Sequence, residues 1–216
     1  MGRRALRRIH PSIDFASHLR TIEQLPRPWD DAALFAELQP LEIEVGSGKG
    51  LFLSSAASAS PQRNFLGIEQ AAKYARFSAA RLAQREISNA LMIHGDARRV
   101  FGEFLPAEHA AAVHVYFPDP WWKARHRRRR IMSPEFLAEV ARVLRADGTL
   151  HFWTDVEEYY HASLEVLAGI AAFTPPRPVS ESMASHDLDY RTHFERRMRL
   201  RGLPVYRAEF GKRSGT

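Results

Sequence analysis

Cysteine is absent from the 216 residues. That excludes disulfides, thiolate zinc sites and a cysteine nucleophile. No run reaches the roughly 18 apolar residues that a membrane-crossing helix needs. The N-terminus, MGRRALRRIH, is basic but lacks the apolar stretch of a secretory leader. Internal repeats and low-complexity tracts are missing too. The ten histidines are scattered, and no pair of them with an acid partner has metal-ligand spacing, so no metal is expected. Lysine is scarce: four residues, against 27 arginines. These absences suit a cytoplasmic protein with neither a membrane nor a metal partner.

What is present is enough for one α/β domain. Apolar residues make up 45% of the chain, which supports a sizeable core. The formal charge is +6. Clustered positive charge attracts phosphates, so a nucleic-acid partner is expected. Residues 1–40 are polar and basic, with Pro26, Pro28 and Pro40. They read as a basic arm plus a short helix, DDAALFAEL. Residues 41–216 read as a single domain.

Within that domain, strand and helix patterns alternate. LEIEV (41–45) places Leu41, Ile43 and Val45 on one face of a strand. NFLGIE (64–69), ALMIH (90–94), AAVHVYF (111–117) and TLHFWT (149–154) follow as strands. AAKYARFSAARLAQRE reads as a helix. A second helix starts at Ser133-Pro134, an N-cap residue before proline, and Gly148 is expected to stop it. Asp155 with Glu158 resembles a capping box opening a third. Such alternation predicts right-handed βαβ units and a mostly parallel sheet. A long polar loop spans 174–202, and LPVYRAEF then reads as a strand closing the sheet edge.

The first strand runs into GSGKG (46–50). Glycines there let the backbone approach a ligand closely. The dinucleotide fingerprint is G-x-G-x-x-G, but here Gly50 comes one position early and Leu51 stands at the expected site. The spacing G-x-G-x-G is the one nucleoside-binding methyltransferases use, where no pyrophosphate must be cradled. A Walker loop is excluded by spacing and by the missing Ser or Thr after lysine. Three acids, Glu44, Glu69 and Asp96, end three successive strands, on the ligand-binding edge of an open α/β sheet. Glu69 stands where a carboxylate accepts ribose hydroxyls, Asp96 beside an adenine, and Glu44 beside an amino-acid tail. With Gly46, Gly48 and Gly50 they point to a bound adenosyl compound.

The segment VYFPDPWWKARHRRRR (115–130) carries the second signal. Asp119 sits between two prolines, which stiffen the loop. Trp121 and Trp122 could wall a pocket or stack on a flipped base. Lys123, Arg125, Arg127, Arg128, Arg129 and Arg130 bring six positive charges without one acid between them. Phosphate contact is the expectation for this run.

EVGSGKG, GIEQ, GDA, FPDPWWKARHRRRRI, TD at 154–155 and THFE at 192–195 occur in that order. On these residues the chain resembles bacterial tRNA (guanine-N7)-methyltransferases, the TrmB family, over roughly residues 40–210. The resemblance implies a Rossmann-like class I S-adenosylmethionine-dependent methyltransferase fold. Its sheet would be mostly parallel, with an antiparallel edge strand near the C-terminus. It implies methyl transfer to guanine N7 in tRNA, at the variable-loop guanine. Glu44, Glu69 and Asp96 match the family's cofactor acids, and Asp119 its catalytic and cofactor-contacting aspartate. Lys123 and Asp155 match substrate contacts, as do Thr192, His193, Phe194 and Glu195. The chain departs from the family pattern at Ser47, at Val156 and after Arg196. Two alternatives stand beside this reading: an exocyclic-amine methyltransferase of RNA or DNA, and a non-catalytic RNA-binding protein on a methyltransferase fold.

Overall fold

The computed structural model describes residues 6, 8–179 and 191–214. In chain order the elements are β1 (Leu19–Thr21), β2 (Leu41–Val45), α1 (Leu51–Ala59), β3 (Asn64–Glu69), α2 (Ala72–Gln84) and β4 (Ala90–His94). They continue with α3 (Ala97–Glu103), β5 (Ala110–Tyr116), α4 (Pro134–Val143), β6 (Leu144–Thr154) and α5 (Glu157–Ala168). The chain closes with β7 (Arg177–Pro178), α6 (His193–Arg199) and β8 (Tyr206–Gly211). One eight-stranded sheet runs in the order β1-β4-β3-β2-β5-β6-β8-β7. The strands from β1 through β6 pair in parallel, and β8 lies antiparallel to both β6 and β7. The expected closing strand is therefore β8, and the two-residue β7 lies outside it.

The helices pack in two layers. Leu53 and Ala57 of α1 join Ala75, Ala79 and Leu82 of α2 on one face of the sheet. Val100 and Phe101 of α3, Phe136 and Val140 of α4, and Tyr159 and Leu167 of α5 cover the other face. Strands enclosed on both faces read as near-continuous apolar runs, which is why β3, β4 and β5 were legible from composition.

The sheet order reverses at β2. β3 lies on one side of it and β5 on the other. Loops leaving β2 and β5 at their carboxyl ends therefore diverge and leave a crevice, the place where open α/β sheets bind ligands.

Five local expectations are corrected. DDAALFAEL forms only a 3-10 turn over Asp31–Ala33, with the Asp30 side chain accepting the Ala32 N–H. Tertiary bonds override its helix propensity, because Asp31 accepts Trp29 Nε1–H at 2.9 Å and lies 3.2 Å from His109 Nε2. Ser133 does cap α4, but the helix ends at Val143 and Gly148 does not stop it. Leu144 is fully buried, so the chain enters β6 at once. The register slips between the pairs Ala110–Leu144 and Ala112–Thr149, and the extra residues bulge around Asp147 and Gly148. No capping box opens α5: the N-cap is Val156, whose N–H goes to Thr154 Oγ1 at 3.2 Å. The expected loop 174–202 contains β7 and α6, while its residues 180–190 lie outside the described residues. In the segment read as a basic arm, Leu19–Thr21 pairs with Met92–His94 as the sheet's other edge.

Candidate active site

The turn after β2 lines one wall of the crevice. Gly46 has φ +80, a left-handed conformation that a side chain would strain. Its Cβ position faces open space, so a ligand can approach the backbone there. Gly50 also has positive φ, and a Cβ on it would lie 1.9 Å from Ser78 Oγ. That contact fixes how closely α1 and α2 meet. Glu69 holds the turn in place: its Oε2 accepts Gly48 N–H at 2.9 Å, and its Oε1 accepts Ala71 N–H at 2.8 Å.

Glu44 is buried at the end of β2. Its Oε2 has no hydrogen-bond partner among the described residues. Burial pushes its carboxyl up to about 8, and the neighbouring Glu69 charge adds to the shift; the Ser47 hydroxyl and Leu53 backbone oppose it. A buried carboxylate oxygen left without a partner at the end of β2 suits a cationic group. Asp96 is half-buried at the end of β4 and caps α3, accepting Arg98 N–H at 2.9 Å. Glu44, Glu69 and Asp96 thus line one edge of the sheet, as expected.

The loop after β5 forms the facing wall. Asp119 is exposed at its tip. Phe117 and Trp121, which flank the Pro118–Pro120 tip, have φ of +49 and +44. Bulky residues rarely adopt such angles, and they persist where surroundings over-determine the backbone, often at functional sites. Trp122 is 61% exposed, whereas Trp121 is half-buried and lies 5.1 Å beneath the Arg129 guanidinium. Residues Ala124–Arg129 form a 3-10 helix. Lys123, just before it, and Arg125, Arg128 and Arg129 along it are exposed. The side chain of Arg127 lies outside the described residues. Arg130 departs from expectation. It turns inward, its Nε donating to Pro120 O at 2.7 Å, with its guanidinium 4.8 Å from the centre of the Tyr159 ring.

Asp155 is half-buried just past β6, and burial raises its carboxyl pKa. Thr192 caps α6, accepting Glu195 N–H at 3.0 Å. Phe194 is 36% exposed and packs on Phe117. The His193 side chain lies outside the described residues. Glu195 is not open to a ligand. It is 2% exposed, accepts Arg191 N–H at 2.7 Å, and pairs with Arg199 and Arg207. Its carboxylate organises the start of α6, with Phe194 reaching the loop that carries Asp119.

Sequence reasoning missed the anchor of this segment. Arg191 Nη1 donates to Tyr116 Oη at 3.1 Å. Tyr116 Oη lies 2.9 Å from His114 Nδ1, and His114 Nε2 lies 2.8 Å from Glu42 Oε2. Burial pushes the Tyr116 hydroxyl up and the His114 imidazole down. A neutral His114 with its proton on Nε2 satisfies both neighbours. Alternation along β2 and β5 shows that these side chains share a sheet face, but no motif marks their pairing with Arg191. Among the described residues no group of three or more His, Asp or Glu could hold a metal. No helix there is long and apolar enough to cross a membrane.

The reversed strand order, the glycine turn and the acids at the strand ends define a class I S-adenosylmethionine-dependent methyltransferase fold. Residues 38–208 match the family sequence model Methyltransf_4, described as "Putative methyltransferase". The chain is 49% identical over 220 residues to the tRNA (guanine-N(7)-)-methyltransferase of Rhodopirellula baltica, spanning 99% of this chain and 81% of that protein. It is 35% identical to the enzyme of that name from Syntrophotalea carbinolica, over 85% of this chain and 79% of that one. Among solved structures, the 16S rRNA methyltransferase KamB is similar with a TM-score of 0.62 at 17% identity, covering 85% of this chain and 92% of that one. The tRNA (m1A58) methyltransferase TrmI from Aquifex aeolicus reaches 0.54 at 14% identity, covering 82% and 63%. At those identities the structures speak to fold alone. The chain belongs to the bacterial tRNA (guanine-N7)-methyltransferase family, TrmB.

Proposed function

We propose that this protein transfers a methyl group from S-adenosylmethionine to guanine N7 in tRNA, at the variable-loop guanine, in the cytoplasm. The observation that carries the reading is the crevice between β2 and β5. One wall holds a glycine turn and a buried carboxyl; the other holds a strained loop tipped by Asp119.

The residues fit the cofactor. The unpartnered Oε2 of Glu44 would face the ammonium of an aminoacyl tail, and the space before Gly46 admits close backbone contact. Glu69 and Asp96 stand where ribose and adenine would meet the sheet edge. S-adenosylmethionine supplies a methyl group on a positively charged sulfur.

Guanine N7 carries a free lone pair and needs no deprotonation. That lone pair forms the new N–C bond, the carbon–sulfur bond breaks, and its electrons stay on sulfur. Positive charge ends on the purine. The protein's task is in-line positioning and electrostatic support for the developing charge. Asp119 supplies that support at the loop tip, and Asp155 is placed to accept from the base edge. Lys123, Arg125, Arg128 and Arg129 contact phosphates. Phe194 presses the C-terminal segment onto the Asp119 loop.

The test is incubation with unmodified tRNA and labelled S-adenosylmethionine, followed by cleavage mapping at 7-methylguanine. A single cleavage in the variable loop is expected. Label on an exocyclic amine, or none in the tRNA, would sink the reading.

A further inference from the structure

Arg130 is the last of the basic run, yet its guanidinium serves the loop itself. Nε donates to the carbonyl of Pro120, the residue after Asp119, at 2.7 Å. The Arg130 carbonyl in turn accepts Arg98 Nη2 at 2.7 Å. Arg98 lies in the first turn of α3, and its own N–H is the one Asp96 Oδ1 accepts at 2.9 Å. A hydrogen-bonded path therefore runs from Asp96, on the cofactor side, through Arg98 and Arg130 to the tip that carries Asp119.

We propose that Arg98 and Arg130 are positioning residues for methyl transfer, forming a brace that holds the Asp119 loop against the turn bearing Asp96. The proposal rests on the crevice being the methyl-transfer site. It assigns Arg130 to the loop's geometry and not to the RNA backbone.

Three observations require such a brace. Pro118 and Pro120 have no N–H, so the tip has few backbone donors of its own. Phe117 and Trp121 hold positive φ, a strained conformation for bulky residues that needs outside support. Asp119 is exposed, so burial does not fix it. Arginine suits the role because its planar fork can donate through Nε while its face lies on Tyr159. Lysine, a point charge on a flexible stem, cannot do both.

The test compares Arg130→Met, Arg130→Lys and Arg98→Met with the parent. Single-turnover methylation is measured at saturating tRNA and cofactor. Arg130→Met is expected to slow it about 10- to 100-fold, the scale for a small misplacement of reacting groups. Arg130→Lys should not restore the rate. Arg98→Met should act in the same direction, and the double variant should fall short of the product of the single effects. Cofactor titration and thermal unfolding check that each variant is folded. The salt slope of tRNA binding should match the parent's. If Arg130 were a phosphate contact, the slope would drop by about 0.7–0.9, Arg130→Lys would be active, and the proposal would fail. Unchanged rate and slope would equally overturn it.

A second readout needs no activity. In a Trp122→Phe background without cofactor, Arg130→Met should raise acrylamide quenching of the remaining tryptophans, because Trp121 is released with the loop. Identical quenching would overturn the brace. Failure of the parent to methylate tRNA would strike the function, and quenching would still decide the brace.

Discussion

The ring of Phe194, at the start of α6, lies 5.0 Å from the ring of Phe117, with the planes inclined at 35°. Phe117 immediately precedes the Pro118–Pro120 tip. One aromatic pair therefore joins the C-terminal segment to the loop that carries Asp119. Such pairs contribute about 0.5–1.5 kcal/mol beyond their buried area. Phe194→Ala should weaken tRNA binding by up to about tenfold on that scale and leave cofactor affinity unchanged. Filter binding of tRNA beside cofactor calorimetry checks this; an equal loss in both would mean the pair supports the fold and not the substrate.

Glu44 makes cofactor-free stability depend on pH. Burial raises its carboxyl to about 8 in the folded protein, against an unfolded value of 4.5. Between those two pH values the folded state keeps a proton that the unfolded state has released. Stability contributed by this group therefore falls as pH rises from 4.5 to about 8, then levels. Glu44→Gln should flatten that part of the profile. Urea unfolding at three pH values across the window measures it, and parallel profiles for variant and parent would refute the assignment. A cationic tail beside Glu44 would lower its pKa, so cofactor binding near pH 7 should release protons, detectable by calorimetry in buffers of differing ionisation enthalpy.

The exposed basic residues should act through phosphates. Changing Arg125, Arg128 and Arg129 together to Ala should weaken tRNA binding and flatten its salt dependence. Each lost contact reduces the log–log slope by about 0.7–0.9. Cofactor affinity should hold. Equal slopes for variant and parent would leave the run as solvated surface.

Asp119→Asn keeps the loop's shape and removes its charge. Loss of one preorganised electrostatic partner typically costs about 100- to 1000-fold in rate. Some cofactor affinity should go too, because the cofactor is cationic. Binding of tRNA should survive, since phosphate contacts supply most of it. Single-turnover methylation at saturation decides the matter: a variant keeping more than about a third of the parental rate loses under 1 kcal/mol and would shift the role to Asp155.

The central strands were legible in the sequence because local pattern and tertiary environment agree there. β2, β3 and β4 begin and end where their apolar runs do. Glu44, Glu69 and Asp96 follow from those boundaries, since an acid at a strand's carboxyl end must lie at the sheet's ligand-binding edge. The glycine turn was legible for a similar reason: positive φ is a property of the residue type as much as of the fold.

What the chain pattern could not decide depends on partners distant in sequence. Leu19–Thr21 is three residues long and becomes a strand only by pairing with β4. Leu144 enters β6 because the core requires it, and the glycine four residues later is absorbed in a bulge. Charge alone could not divide the arginine run. Arg128 and Arg129 face water, whereas Arg130 turns to Pro120 and Tyr159, and only the position of α5 beneath the loop makes that difference. Glu195 reads as a substrate contact in its motif, yet Arg199 and Arg207 enclose it, and Arg207 comes from β8. Composition and spacing determine which groups are available at the crevice. Long-range packing decides which of them face it, because each charged side chain goes where the surrounding backbone can satisfy it.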